Sequence, residues 1–335
     1  MSHHDIVIEK YGPASTLHLR DIAPRAPGDD EVAIDVAYSG INFADIQMRL
    51  GFYPDAPKRP FVPGYEISGR VTAVGKNVHD VKLGDPVAAG TYFGGYASSV
   101  TIPARQVFKL PPAFDLAKGA ALPVNYFTAQ LALVEMARVR KGDRVLIECA
   151  TGGVGVLAMQ MARYYGAEVT GLTTSAHKKG FIEQHGATAY TVDEFRANTT
   201  LKGYDFILNA SGGQHIEWQR ARLGFTGRIV CIGLSSGVKD GKRNYLRMGL
   251  AALRMPRISV IKLFDTNSGV YALNALHVLR DPQWIERLTK SMVNIEGMGL
   301  VPHVGKVFPA ADAAQAHAFL ETKQATGKVL LAWNN

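Results

Sequence analysis

The stretch Asp143-Arg144-Val145-Leu146-Ile147-Glu148-Cys149-Ala150-Thr151-Gly152-Gly153-Val154-Gly155-Val156-Leu157-Ala158 decides the fold. Its first half, Arg144–Ala150, reads as a short apolar strand. Beyond the glycines, Val154, Leu157, Ala158, Met161, Ala162 and Tyr165 recur at helical spacing, and Gly166 supplies a helix stop. A strand that turns through glycines into a helix lets the backbone approach a diphosphate, which then rests on the free amides and positive end of the helix. The loop is not a strict G-x-G-x-x-G, because Ala150 holds the first glycine position. In this strand–turn–helix setting, dinucleotide binding through Thr151, Gly152, Gly153 and Val154 is preferred to a plain structural turn.

Downstream, Ala167–Leu172 is a second strand, followed by a helix from about Ser175 to His185 that Gly186 can end. Tyr204–Asn209 reads as a strand, Gln214–Leu223 as a helix and Arg228–Gly233 as a strand, with Val270–Leu273 as a last one. This alternation predicts βαβ units and a parallel sheet. Upstream, short alternating runs at Glu31–Val36, Gly69–Val74 and Tyr96–Ile102 are separated by Gly, Pro and Asp turn signals, and the character changes near Pro123. The tail, from about His277, offers helices around Trp284–Met292 and Ala311–Leu320 and strands at Gly305–Phe308 and Val329–Trp333. It is expected to fold back onto the N-terminal β domain. The expected architecture is α/β. A β-rich domain of residues 1–122 and 275–335 surrounds a doubly wound Rossmann domain, residues 123–274, with a parallel six-stranded sheet.

The end of the second strand decides the cofactor. NAD sites usually place an acid there for the ribose diol. Here the stretch is Gly171-Leu172-Thr173-Thr174-Ser175-Ala176-His177-Lys178-Lys179, with no acid. Hydroxyls at Thr174 and Ser175 beside Lys178 suit a 2′-phosphate, so NADPH is expected. The alternative is that the lysines solvate the first turn of a helix.

The bulk composition narrows the class. The 335 residues, 47% hydrophobic and 20% charged, suit two globular domains, and no apolar run approaches the length of a membrane span. Met1-Ser2-His3-His4-Asp5 lacks the basic end and apolar stretch of a signal peptide. Cys149 and Cys231 are expected to be reduced, buried thiols in a cytoplasmic protein. The formal charge of +8 is mostly scattered, with no nucleic-acid-binding motif. One dense patch, Lys239 to Arg257, is either a solvated loop or a contact for a phosphate-bearing cofactor, carrier or lipid.

Asn42-Phe43-Ala44-Asp45, Gly51-Phe52-Tyr53-Pro54, Pro63-Gly64-Tyr65-Glu66, Pro123-Val124-Asn125-Tyr126-Phe127-Thr128-Ala129 and the glycine loop occur in one order. With these motifs the sequence resembles the medium-chain dehydrogenase/reductase superfamily over its whole length. Within it, the chain is similar to the quinone oxidoreductase (zeta-crystallin) group. It looks closest to the vesicle amine transport protein branch, on Gly241-Lys242-Arg243-Asn244 and the following segment to about Asn267. The resemblance implies a GroES-like catalytic domain, a Rossmann domain, a site in the cleft between them and a homodimer. Zinc alcohol dehydrogenases of the superfamily hold catalytic zinc with a Cys near Asn42 and a His near Tyr65. Both residues differ here and no lobe cysteines occur, so no metal site is expected.

Without a metal, protein donors must polarise the substrate carbonyl. Tyr53 matches the catalytic Tyr of enoyl-thioester reductases and is the expected proton donor or carbonyl partner; the alternative is a ring packed over the cleft rim. Asn42 is expected to donate to a carbonyl or to orient the nicotinamide carboxamide, and Asp45 to brace that loop. The resemblance implies that Asn125 and Thr128 line the nicotinamide and its ribose. Ser211, Gly233, Ser235, Leu273 and Asn274 would border the cofactor, and Lys328 would contact it. In some quinone oxidoreductases a Tyr follows the third strand beside the 2′-phosphate; here Asp193 falls about there, with Tyr190 earlier.

The leading expectation is NADPH-dependent reduction of a quinone or α,β-unsaturated carbonyl. The runner-up is an enoyl-thioester reductase acting on acyl-CoA or an acyl carrier protein. A reading of another class, a lipid-binding surface at residues 245–264, is disfavoured against a cleft cover or dimer seam.

Overall fold

The computed structural model describes residues 2–233, 257–278 and 280–333. Two strands at the start, β1 (His3–Ile8) and β2 (Leu17–Ile22), form an antiparallel pair. A larger sheet gathers β3 (Glu31–Ile41), β4 (Glu66–Val74), β5 (Pro86–Gly90), β6 (Ser99–Pro103), β7 (Val107–Lys109), β14 (Val304–Pro309) and β15 (Lys328–Ala332). Its order is β14-β15-β3-β4-β5-β7, with β6 also paired to β3. The tail therefore returns to the N-terminal sheet: Val329 pairs with Ile41 and Leu331 with Ser39, antiparallel. Alternation explains the inward faces. Val32, Ile34, Val36, Ile67, Val71, Val87 and Val100 share one core, while Ile41, Val329, Leu331 and Phe308 share another with the helix Ala313–Glu321.

The second sheet contains β8 (Arg144–Ile147), β9 (Glu168–Thr173), β10 (Thr188–Thr191), β11 (Tyr204–Asn209), β12 (Leu223–Cys231) and β13 (Gly269–Ala272). All pairings are parallel, in the order β10-β9-β8-β11-β12-β13. Counted from β8, this is the 3-2-1-4-5-6 order of a dinucleotide-binding sheet, with its switch point between β8 and β11. Strands buried on both faces read as continuous apolar runs, and Val145, Leu146, Ile147, Ile207, Leu208, Ile229 and Val230 are all buried. The helix Gly153–Tyr164 packs Leu157, Ala158, Met161 and Ala162 into the same core as Phe127, Leu131 and Leu133.

Three local expectations change. The stretch Ser175–His185 divides into a 3₁₀ turn, Ala176–Lys178, and a short α-helix, Lys179–Gln184. Thr188–Thr191 supplies a sheet strand that the apolar runs did not mark. Cys149 is exposed rather than buried, because β8 ends at Ile147 and the chain turns at Cys149 with φ 54°. Cys231, at the end of β12, is partly buried, with its thiol 3.4 Å from Gly233 O. Among the described residues, no helix is long and apolar enough to cross a membrane.

Candidate active site

The glycine turn sits at the carboxyl end of the first parallel strand, and Gly152 begins the helix without a side-chain cap. The first-turn amides thus have no side-chain acceptor, which leaves donors for an anionic ligand. Close packing dictates the glycines: a Cβ on Gly155 would stand 2.4 Å from Cys149 O, and one on Gly153 would stand 2.4 Å from Asn125 Nδ2. Asn125 and Thr128 lie buried on the helix Pro123–Gln130, which brings Asn125 against the start of the phosphate-type helix. Asn125 Nδ2 donates to Ala121 O at 2.8 Å.

The other expected cofactor residues gather at the carboxyl ends of the same sheet. Thr174 and Ser175 follow β9, Ser211 follows β11, Gly233 follows β12, and Leu273 and Asn274 follow β13. Leu273 N donates to Cys231 O at 2.8 Å. Ser235 lies outside the described residues, as does most of the basic segment 239–257.

Glu148, which the motif analysis left unassigned, organises this rim at the switch point. Its Oε2 accepts from Ala210 N and Ser211 N, each at 3.0 Å, and its Oε1 is bonded to His215 Nδ1. Burial opposes its ionisation, but the His215 ring and the Ser211 donors outweigh it and hold the carboxyl below its ordinary range.

Lys178 is buried, and its Nζ donates to Lys323 O at 2.8 Å and to Ala325 O at 2.9 Å. Burial lowers its pKa. Two of its three donors are thereby engaged in fastening the end of β9 to the tail, leaving one N–H. Lys179 pairs with Glu194 at 3.1 Å. Asp193 is exposed at the start of the helix Val192–Ala197, and Tyr190 packs its ring 6.0 Å from that of Phe195.

The tail also reaches the glycine turn directly. Gly327 N donates to Thr151 O at 2.7 Å, and Gly152 and Gly327 form a parallel bridge. The next residue, Lys328, is buried; its Nζ donates to Asn42 Oδ1 at 2.6 Å and pairs with the Glu66 carboxylate. Asn42 Nδ2 donates to Glu66 Oε1 at 3.0 Å. The amide expected to face a substrate is therefore already held from both ends, with one N–H left over. Asp45 braces this loop as expected: its Oδ2 accepts Asn42 N at 2.7 Å and Tyr96 Oη at 3.1 Å. Complete burial raises the Asp45 pKa to about 7, against the Asn42 amide and the positive charge of Lys328.

Tyr53 is half-buried, with its ring 6.3 Å from that of Tyr65, which in turn packs 5.6 Å from Phe93. Its hydroxyl donates to Asn274 Oδ1 at 3.4 Å, from the rim of the parallel sheet. Asp55 completes this second bridge, accepting Asn274 Nδ2 at 3.1 Å and bonding His277 Nε2 at 2.9 Å. Burial raises the Tyr53 pKa, so the phenol keeps its proton at neutral pH. Among the described residues, no group of three His, Cys, Asp or Glu side chains could hold a metal ion.

Residues 28–112 match the model of the alcohol dehydrogenase GroES-like domain. Residues 184–331 match that of zinc-binding dehydrogenases. Quinone oxidoreductase of Sus scrofa is 31% identical over 97% of this chain and 96% of its own. The chain belongs to the medium-chain dehydrogenase/reductase superfamily, in its quinone oxidoreductase group. Another relative in this superfamily, the synaptic vesicle membrane protein VAT-1 homolog of Rattus norvegicus, is 31% identical over 94% of this chain and 80% of its own. A mycobacterial protein solved in complex with NADPH superposes with a TM-score of 0.85 at 25% identity, covering 98% of this chain and all of that one. These superfamily likenesses cover both sheets. Glu66, Glu148 and Asp55 are the site groups that motif reading did not assign. Glu66 carried a signal as the last residue of Pro63-Gly64-Tyr65-Glu66, and Glu148 as the one acid in the apolar run before the glycines.

Proposed function

We propose that this chain is a zinc-independent, NADPH-dependent reductase whose acceptor is a quinone or an α,β-unsaturated carbonyl. We also read residues 123–274 as its nucleotide-binding domain, residues 1–122 and 275–335 as its catalytic domain, and the working form as a homodimer. The observation that carries the reading is the short link between loop and amide: Gly327 N is 2.7 Å from Thr151 O, and Lys328 Nζ is 2.6 Å from Asn42 Oδ1. Two successive residues tie the glycine turn to the candidate catalytic loop.

The residues present fit the cofactor. The uncapped amides of Gly153 and Val154, with Thr151 and Gly152, suit the diphosphate. The rim at Thr174, Ser175 and the remaining N–H of Lys178 offers donors and no acid for a 2′-phosphate. Asn125 and Thr128 would line the nicotinamide side. The NADPH complex of the mycobacterial relative supports the same choice. When bound, NADPH supplies the hydride. Asn42 offers its free N–H to the acceptor oxygen, and Tyr53, protonated at neutral pH, offers a proton or a hydrogen bond.

An enoyl-thioester acceptor is the second reading, favoured by the place of Tyr53 beside the cleft rim. Loss of NADPH absorbance on adding a 1,4-quinone or a small enone is the expected result. Faster turnover of the same acyl chain as a thioester would move the substrate to the second class. NADPH left unconsumed by saturating quinones, enones and enoyl-thioesters alike would end both.

A further inference from the structure

We infer that Glu66 is the positioning residue of this site, setting the amide of Asn42 and the ammonium of Lys328 relative to the helix that carries Asn125 and Thr128. The inference rests on the reductase reading above. Glu66 opens β4, and its side chain is completely buried. Burying a carboxylate is costly unless its oxygens are paired. Here every partner belongs to a different part of the site. Oε1 accepts Asn42 Nδ2 at 3.0 Å and pairs with Lys328 Nζ; Oε2 accepts Val124 N at 2.8 Å.

The bond to Val124 matters because a helix leaves its first N–H groups without partners. The helix Pro123–Gln130 begins at Leu122 with no side-chain cap of its own. Glu66 meets that need from the other sheet, placing a negative charge at the positive end of the helix. The residue after Val124 is Asn125. One carboxylate thus spans the catalytic loop, the tail strand and the cofactor-side helix.

The same pairing fixes which way the Asn42 amide faces. With Lys328 donating at Oδ1 and Glu66 accepting at Nδ2, both contacts are satisfied; the reversed amide would set donor against donor and acceptor against acceptor. Asn42 therefore presents its spare N–H as a donor. The fold also makes room for the pair. A Cβ on Gly40 would lie 2.6 Å from Glu66 Oε1 and 2.7 Å from Lys328 Cε, so β3 carries a glycine where the two side chains cross it.

The test compares wild type with Glu66→Gln and Gly40→Ala. The first removes the charge, and its amide must turn a donor toward either Lys328 or Val124. The second keeps every charge and displaces the pair, which covers the case in which Glu66→Gln does not fold. Measurements are the melting temperature without cofactor, the NADPH dissociation constant by fluorescence, kcat with a quinone, and the primary isotope effect with NADPH deuterated at the transferred hydrogen. The expected result is a folded variant with NADPH affinity within about fivefold of wild type and kcat lower by about a hundredfold, the scale of an ångström-sized misplacement. The isotope effect should rise, because hydride transfer becomes the slow step. A folded variant with unchanged kcat and isotope effect would overturn the positioning role, as would a kcat loss matched by the loss of folded protein. Wild-type turnover in the same assay separates that outcome from failure of the reductase reading.

Discussion

Tyr53 donates its proton to a neighbour that is itself held in place. Asn274 Oδ1 faces the phenol because Asp55 takes the amide's N–H, and Leu276 N donates to the same oxygen at 3.1 Å. An acceptor carbonyl entering the cleft would compete with Asn274 for the Tyr53 hydroxyl, and the 3.4 Å bond it must displace is weak. Tyr53→Phe removes the proton and keeps the ring against Tyr65. Turnover should fall by about 10² to 10⁴-fold if the phenol acts as general acid, while the NADPH dissociation constant measured by fluorescence stays within about twofold. Turnover equal to wild type would leave Tyr53 as a packing residue of the rim. The position of this Tyr was legible from its motif. Its partners were not, since Asn274 lies 221 residues away and no local pattern links them.

At the scale of one element, the helix Phe43–Arg49 carries a buried polar chain that holds the candidate catalytic loop at Asn42. Asp45 accepts from Tyr96, Tyr96 Oη lies 3.0 Å from His317 Nε2, and Arg49 pairs with Glu321. Burial raises Asp45 from the usual 3.8 to about 7, and burial with the Arg49 charge lowers His317 from 6.5 to about 3. The two linkages have opposite signs. For Asp45, with its folded value raised, the stability it contributes is full below pH 3.8 and is lost as pH rises through about 7. For His317, with its folded value depressed, stability is full above pH 6.5 and falls away as pH drops toward 3. Tyr96, Arg49, Lys328 and Glu66 are the other charged or titratable groups around the pair. Asp45→Asn keeps an acceptor for the Asn42 amide and removes the titration. Denaturant unfolding between pH 4 and 8 should show the variant gaining on wild type as pH rises, by a few kcal/mol overall. A difference independent of pH would mean that Asp45 does not change charge in this range.

The elements themselves show why reading from the chain succeeded in some places and missed in others. β8 and the helix Gly153–Tyr164 were legible because strand, glycines and apolar helical spacing follow one another without interruption. β10 is not legible in the sequence because Thr188–Thr191 offers four residues with only Ala189 buried. Cys149 sat in an apolar run, yet the strand had already ended at Ile147. Glu66 draws its partners from positions 24 and 58 residues distant, and from the tail. Its importance is created by topology, at the point where β3, β4 and β15 run side by side. Lys178 stands out in the sequence by its charge, whereas the carbonyls of Lys323 and Ala325 that engage it belong to a turn with no sequence signature.

For the molecule as a whole, the parallel sheet poses the remaining question. β13 is one of its two edge strands, with β10 at the other end, and among the described residues no strand pairs with the free edge of β13. Open edges present rows of unpaired donors and acceptors, and soluble proteins cover or blunt them. At this edge the chain exposes Tyr271, and just before it the helix Val260–Thr266, where Val260, Ile261 and Phe264 are each more than 70% exposed. A second copy can cover such a strand with its own identical edge about a two-fold axis, which closes the assembly at two chains. Light scattering on the purified protein should then give twice the 36.3 kDa of one chain. A Phe264→Asp, Ile261→Asp double variant should shift the mass toward a single chain and lower the melting temperature, while NADPH still binds at the carboxyl-end rim of the strands. A wild-type protein of 36.3 kDa at micromolar concentration would rule out the homodimer and leave these apolar residues to be covered from within the same chain.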